Sequence, residues 1–269
     1  MSSFAPSIAA VFLYLVSGGY ISLQIAKLKN VQKSWLITAC CLAVIAHALS
    51  IYHLVFAEDG YRLGFFVALS LITCVVNFLI AISGLRLPIL NLFVFLFPFS
   101  ACVIIAALLA EGPVTPFNNI PHGLFIHISL SVLAYSLLMI AALQAILLAW
   151  QNHQLRNKHA TGRIRLLPPL QTMETLLFDI VWAGEITLTL SIVSGFIFLE
   201  DMFAQSLVHK TILSIFAWLL YATLLWGRHV RGWRGNSAIR WTLSGFCSLM
   251  VAYFGSKLVI ELILHRSTL

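Results

Sequence analysis

Charged residues are scarce in this chain. Asp, Glu, Lys and Arg make up 9% of its 269 residues, against roughly a quarter in an average soluble domain. Hydrophobic residues make up 61%. No soluble fold can bury that much apolar surface, so a bilayer has to be part of the solvent. Cysteine is sparse and unpatterned as well. Cys40, Cys41, Cys74, Cys102 and Cys247 all lie in apolar runs, and none forms a C-x-x-C pair. That spacing argues against a zinc site or a thiol–disulfide motif and favours cysteine as a small buried hydrophobe. There is no G-x-S-x-G, no H-E-x-x-H and no glycine-rich phosphate loop, so no catalytic signature stands out. No internal repeat or low-complexity tract occurs, and no basic segment precedes the first apolar run. The N-terminal run therefore reads as a retained helix rather than a cleaved signal.

What the chain does have is apolar runs, each near the ~20 residues a helix needs to cross hydrocarbon. Eight are discernible: about Pro6 to Ala26, Trp35 to Phe56, Leu63 to Ile82, Pro88 to Ala110, Gly123 to Trp150, Phe178 to Leu199, His209 to Arg228 and Trp241 to Leu264. The expected architecture is all-α, a polytopic bundle of eight transmembrane helices forming a single integral membrane domain over residues 1–269. The fifth run is long enough to tilt or to project beyond the lipid. A polar connector, residues 151–174, follows it.

The basic residues encode orientation. The loops after runs one, three, five and seven hold three, one, four and four Lys or Arg, whereas the opposite side holds only Arg62, Lys210 and Arg266. By the positive-inside rule both termini of this multi-pass protein lie outside, in the periplasm or its equivalent. The net charge of +7 is thus no nucleic-acid footprint. The expected surroundings are membrane lipid.

Ionisable side chains within spans are costly and point to function by default. His47 sits near the middle of the second run, about 18 Å from its start at ~1.5 Å per residue. A histidine hydrogen-bonded to a neighbouring helix is the plain alternative. His127 opens the fifth run, with Ser131 and Tyr135 following at four-residue steps. His229 closes the seventh run within WGRHVRGWRGNSAIRWTLSG, Trp226 to Gly245. Trp226 and Trp233 would share its face if the helix continues that far. An aromatic and basic interface belt accounts for the same residues. Lys257, Glu261 and His265 recur every four residues in the last run, a spacing that also suits snorkelling and charge neutralisation. Glu185 lies in the inner half of the sixth run and needs a partner, for which Arg228 and His229 are at a suitable depth.

Several segments, in order, resemble the cytochrome c assembly family. These are membrane proteins of the CcsA and ResC type that carry haem to the outer face and present it for attachment. LTLSIVSGFIFLED, Leu188 to Asp201, resembles the family helix before its external haem loop, and HKTILSIFAWLLYATLLWGRHVRGWRG, His209 to Gly235, the helix after it. The latter carries a histidine near its inner end and then a G-W-x-G turn. SGF at Ser244 to Phe246 and YFGSK at Tyr253 to Lys257 resemble the final helix, PHGLFIHISLSVLAYSLLMIAAL the helix opening with an external histidine, and IAHALSIYHL an early span bearing another. The family's external loop is a tryptophan-rich WWD segment. Here the corresponding stretch, EDMFAQSLV, has no tryptophan, which is similar to the YpjD-like branch of small inner-membrane proteins.

The resemblance implies haem b as cofactor. It implies iron ligands in two places: His127 and His265 on the outer face, and His229 with His47 in the membrane. Arg228, Arg231 and Arg234 would then be placed to attract propionates. The implied task is haem binding or translocation in support of cytochrome c assembly, alongside other assembly proteins, and it requires no bond-making by the protein. Two alternatives stay open. One is a non-haem partner that stabilises or regulates another membrane protein or transporter. The other is a transporter of a different anionic compound.

Overall fold

The computed structural model describes residues 4–27, 32–57, 60–62, 64–110, 114–116, 122–157, 167–198 and 208–255. The described residues form eight α-helices and a small three-stranded sheet. Seven of the helices are long and apolar enough to cross a membrane. The protein is therefore an all-α polytopic membrane protein. Its helices divide into two compact units, described in turn.

The first unit spans Met1–Phe117. It contains α1 (Ala5–Ala26), α2 (Lys33–Val55), α3 (Phe65–Ser83) and α4 (Phe93–Leu109), the last entered through a 3₁₀ turn at Leu90–Leu92. Pro6 sits in the first turn of α1, where no intrahelical N–H is lost. α1 packs against both α2 and α4, and α3 packs against the same two helices. Small residues permit this: a Cβ on Gly18 would come within 3.4 Å of Phe97. Strands β1 (Phe56–Ala57), β2 (Gly60–Arg62) and β3 (Val114–Pro116) pair antiparallel in that order, tying the end of α2 to the segment after α4. Period-2 signal over two or three residues is too short to show against long apolar runs, so this sheet is absent from the sequence reading.

The second unit comprises Asn118–His159 and Pro169–Thr268. Its helices are α5 (His122–Arg156), α6 (Leu170–Phe198), α7 (Val208–Arg231) and α8 (Asn236–Met250), and α8 ends in a π-helical turn at Val251–Gly255. α5 is 35 residues long, roughly 50 Å at ~1.5 Å per residue. It continues well past Trp150 because polar Gln151, Asn152 and Gln154 are compatible with helix outside the lipid. α6 begins eight residues before the expected Phe178, since Met173, Leu176 and Leu177 give its first turns a buried face. Pro168 and Pro169 mark where that helix can start. α8 starts at Asn236 rather than Trp241, directly after the Gly235 turn. The outward part of the expected eighth span, with Lys257, Glu261 and His265, lies outside the described residues, as does the short loop of residues 199–207.

Large apolar side chains line the outward faces at helical spacing. Ile8, Phe12 and Leu15 do so on α1, Leu42, Ile45 and Leu49 on α2, Ile186, Leu190 and Val193 on α6, and Ile212, Phe216 and Leu219 on α7. Such stripes are stable only where lipid tails cover them.

Candidate functional site

Where α5 begins and α6 ends, the second unit is built on a polar seam between these two helices. His127, on the second turn of α5, is half-buried, and its Nδ1 lies 3.0 Å from the Ser191 carbonyl oxygen and 3.1 Å from the Ser194 hydroxyl oxygen. A carbonyl only accepts, so Nδ1 carries the proton and Nε2 keeps its lone pair. Ser194 Oγ donates to the same Ser191 carbonyl at 2.8 Å. One turn along α5, Ser131 donates to the His127 carbonyl and pairs with Ser191 Oγ at 2.7 Å. Tyr135, a further turn on, donates to the Leu249 carbonyl at 3.0 Å and so joins α5 to α8. The sequence reading named His127 but not its partners. Their signal was the three-residue spacing of Ser191 and Ser194, which puts both on one face of α6.

The arginine-rich end of the same unit is a clasp. α7 ends at Arg231, and Gly232 and Gly235 take φ of 65° and 54°, which reverse the chain. These left-handed positions favour glycine because no Cβ meets the carbonyl. Trp233 folds back onto Gly227, donating its N–H to the Gly227 carbonyl at 3.2 Å and laying its ring where a Cβ on Gly227 would stand. The ring also stacks on Trp241 at 5.4 Å. Arg228 donates to Glu174 Oε1 at 3.0 Å and to the Trp233 carbonyl at 3.3 Å, and its guanidinium lies 4.5 Å from the Phe178 ring centre. Arg234 approaches the same Glu174 oxygen at 3.6 Å. Arg231 covers the Trp226 ring at 5.5 Å.

This geometry corrects two expectations. Arg228 pairs with Glu174, not with Glu185. His229 is exposed and has no aromatic sandwich, because the helix stops before Trp233 and that ring turns toward Gly227 and Trp241. Trp226 remains one turn before His229, under Arg231.

His47 belongs to the first unit and is fully buried. Its Nε2 is 2.8 Å from Ser70 Oγ on α3, and its Nδ1 is 3.2 Å from Tyr14 Oη on α1, with the two rings edge to face. The polar line continues through Ser7 with Ser50 at 2.6 Å, and through Asn77 with Ser100 at 2.7 Å. Both imidazole nitrogens are thus engaged, as in a histidine that joins helices.

A cavity of about 220 Å³ opens between the end of α5 and the start of α8. Asn152, His153, Arg156, Ile239 and Arg240 line it, and Asn152 donates to Asn236 at 3.1 Å across it. No group of three or more His, Cys, Asp or Glu is placed to hold a metal ion among the described residues.

Comparison with known proteins adds the lineage. The family model described as "Cytochrome C assembly protein" matches residues 35–264. The chain belongs to the cytochrome c assembly protein family. It is 30% identical over 265 residues to the inner membrane protein YpjD of Escherichia coli, covering 96% of this chain and 98% of that one. It is 24% identical over 184 residues to the cytochrome c biogenesis protein CcsA of Microcystis aeruginosa, covering 51% and 56%. An uncharacterized 28.8 kDa protein of Azospirillum brasilense is 29% identical over 163 residues, covering 59% and 60%. No solved structure matches.

Against the ligand set expected of an assembly-family chain, the described histidines differ. Among the described residues nothing engages Nε2 of His127, whose imidazole is already oriented from behind, the arrangement that metal-bound histidine usually shows. His229 is exposed, and no hydrogen bond holds its ring among the described residues. His47 must give up a hydrogen bond to Ser70 or Tyr14 before it can bind iron. His265 lies outside the described residues.

Proposed function

We propose that this protein binds haem b in its second helical unit and supports cytochrome c assembly at the bacterial inner membrane. The observation that carries the reading is the His127 hydrogen bond to Ser191, which leaves Nε2 as the ligating nitrogen. His127 would hold the iron on the outer face, with His265 as the second residue expected there. His229 is the inner ligand of the second unit; His47, in the first unit, could ligate only after its contacts with Ser70 and Tyr14 open. When bound, haem supplies the redox-active iron that a maturing cytochrome needs. The chain's part is to hold, orient and release it, so the protein need not be an enzyme. Arg231 and Arg234 are the exposed arginines for propionate contact, Arg234 through what its 3.6 Å pairing with Glu174 leaves open, while Arg228 is held by Glu174 at 3.0 Å. Arg156 and Arg240 at the cavity offer a further pair for a carboxylate.

The test is the absorption spectrum of the protein purified from cells supplied with haem precursor. Wild type should show a Soret band. His127→Ala should lose most of it, with partial return on adding imidazole. Absence of bound haem in wild type, or an unchanged spectrum in His127→Ala, would overturn the reading. The second reading is a non-haem partner of another membrane protein or transporter. It is favoured by the engagement of both His47 nitrogens and by the short outer loop without tryptophan.

A further inference from the structure

Glu185 sits midway along α6, only 7% exposed, and neither carboxylate oxygen has a hydrogen-bond partner among the described residues. An acid buried in an apolar bundle needs a cation, a donor or a proton. Among the described residues, the charges that could supply a cation are elsewhere. Between His127 and His153 α5 carries no charged residue, and the titratable group it brings to this half of the unit is Tyr135. α7 presents Tyr221, with Lys210 near its start and Arg228 two turns beyond, held by Glu174. α8 presents Cys247, with Arg240 in its first turns. On α6 itself Asp179 is exposed and Glu174 is paired.

Trp218 on α7 donates to Thr189 on α6 at 2.8 Å, which sets the register of the two helices. One turn from that bond toward the arginine-rich end, the same register brings Glu185 and Tyr221 level. Tyr221 is fully buried, its ring occupying the space beside Gly245, and its Oη donates to the Thr242 carbonyl at 3.3 Å. Thr242 is also fully buried, and its hydroxyl has no partner among the described residues. It stands six residues from the start of α8 at Asn236, about 9 Å at ~1.5 Å per residue.

We propose that Glu185 is a proton-binding site within the membrane-spanning bundle, reached from the arginine-rich face past Tyr221. The ligand is a proton rather than a metal cation. A hard cation needs about six oxygen ligands or more, whereas neither Glu185 oxygen has a hydrogen-bond partner among the described residues and a single carboxylate stands at this depth. The exchange is balanced: carboxylate and hydronium give carboxylic acid and water, with no electron transferred. The Tyr221 phenol directs its proton to the Thr242 carbonyl and keeps a lone pair to offer. Haem is not required, so the inference stands apart from the function proposed above.

The experiment is infrared spectroscopy of the whole protein in lipid nanodiscs with ¹³C-carboxyl glutamate. The expected result is a protonated-carboxyl C=O band at neutral pH that shifts on labelling, is lost in Glu185→Gln and is kept in Glu174→Gln. Transfer to D₂O should shift the band quickly in wild type and more slowly in Tyr221→Phe. No labelled carboxylic-acid band at neutral pH would overturn the proton site. So would loss of the band on adding Na⁺, K⁺ or Mg²⁺ at constant pH. An unchanged exchange rate in Tyr221→Phe would overturn the connection. If Glu185→Gln does not fold, the labelled wild type and Tyr221→Phe carry the same readout.

Discussion

Arg228 on α7 and Glu174 on α6 share a 3.0 Å ion pair at the arginine-rich end of the second unit, and the same guanidinium holds the carbonyl of Trp233. One side chain therefore joins two helices to the turn that follows them. Glu174 is the more buried partner, so removing the arginine leaves an uncompensated carboxylate. We expect Arg228→Ala to cost about 1–3 kcal/mol, within the range for hydrogen bonds to charged groups. Arg231→Ala should change little. Thermal unfolding in detergent measures both, and equal melting of the two variants would contradict the assignment.

Gly227 is the floor for the Trp233 ring. Gly227→Val should displace that ring and, with it, the Trp233–Trp241 stack. The expected outcome is a red shift of tryptophan emission and a lower melting temperature, because overpacking of this kind typically costs about 1–3 kcal/mol. Ala222→Val, at a half-buried position on the same helix, serves as the control and should leave the emission unchanged.

Ser194→Ala removes one of the two oxygens at His127 Nδ1 but leaves the Ser191 carbonyl. If His127 holds haem, this variant should weaken binding by about tenfold, the lower end of what outer partners of metal-bound histidine contribute. His127→Ala should weaken it further. Haem titration of the apoprotein distinguishes the two, and Ser194→Ala binding as poorly as His127→Ala would argue for collapse of the seam.

His47→Leu should strand Ser70 and Tyr14 in the core of the first unit. The expected loss is about 1–2 kcal/mol, since hydrogen bonds between membrane helices are individually modest. His47→Gln should recover part of it by keeping a donor and an acceptor. Comparing the haem spectra of the two variants with that of wild type tells joint from ligand. Retained haem with lowered stability is the outcome expected from the observed contacts.

Reporter fusions at both termini and within residues 157–169 test the orientation. A periplasm-active reporter should work at the termini, and a cytoplasm-active one in the connector, because the Lys and Arg excess lies on that side.

Hydropathy sums over consecutive residues, so the spans and their order were legible from sequence alone. The lysines and arginines act through their side of the membrane, not through individual contacts, so the orientation expected for the chain could also be read. The G-W-x-G segment announced its turn, since a left-handed backbone at Gly232 and Gly235 is a local demand. Partner choice is not local. Whether Arg228 meets Glu174 or Glu185, both on α6, depends on helix rotation and register, and no run of residues encodes that. The same holds for the Ser191 carbonyl behind His127 and for Tyr14 and Ser70 on either side of His47. Sequence determined which side chains enter the membrane. Tertiary packing decided which of them are satisfied, which keep a free nitrogen and which, like Glu185, are left without a partner among the described residues, because pairing requires two helices to bring complementary atoms to one depth.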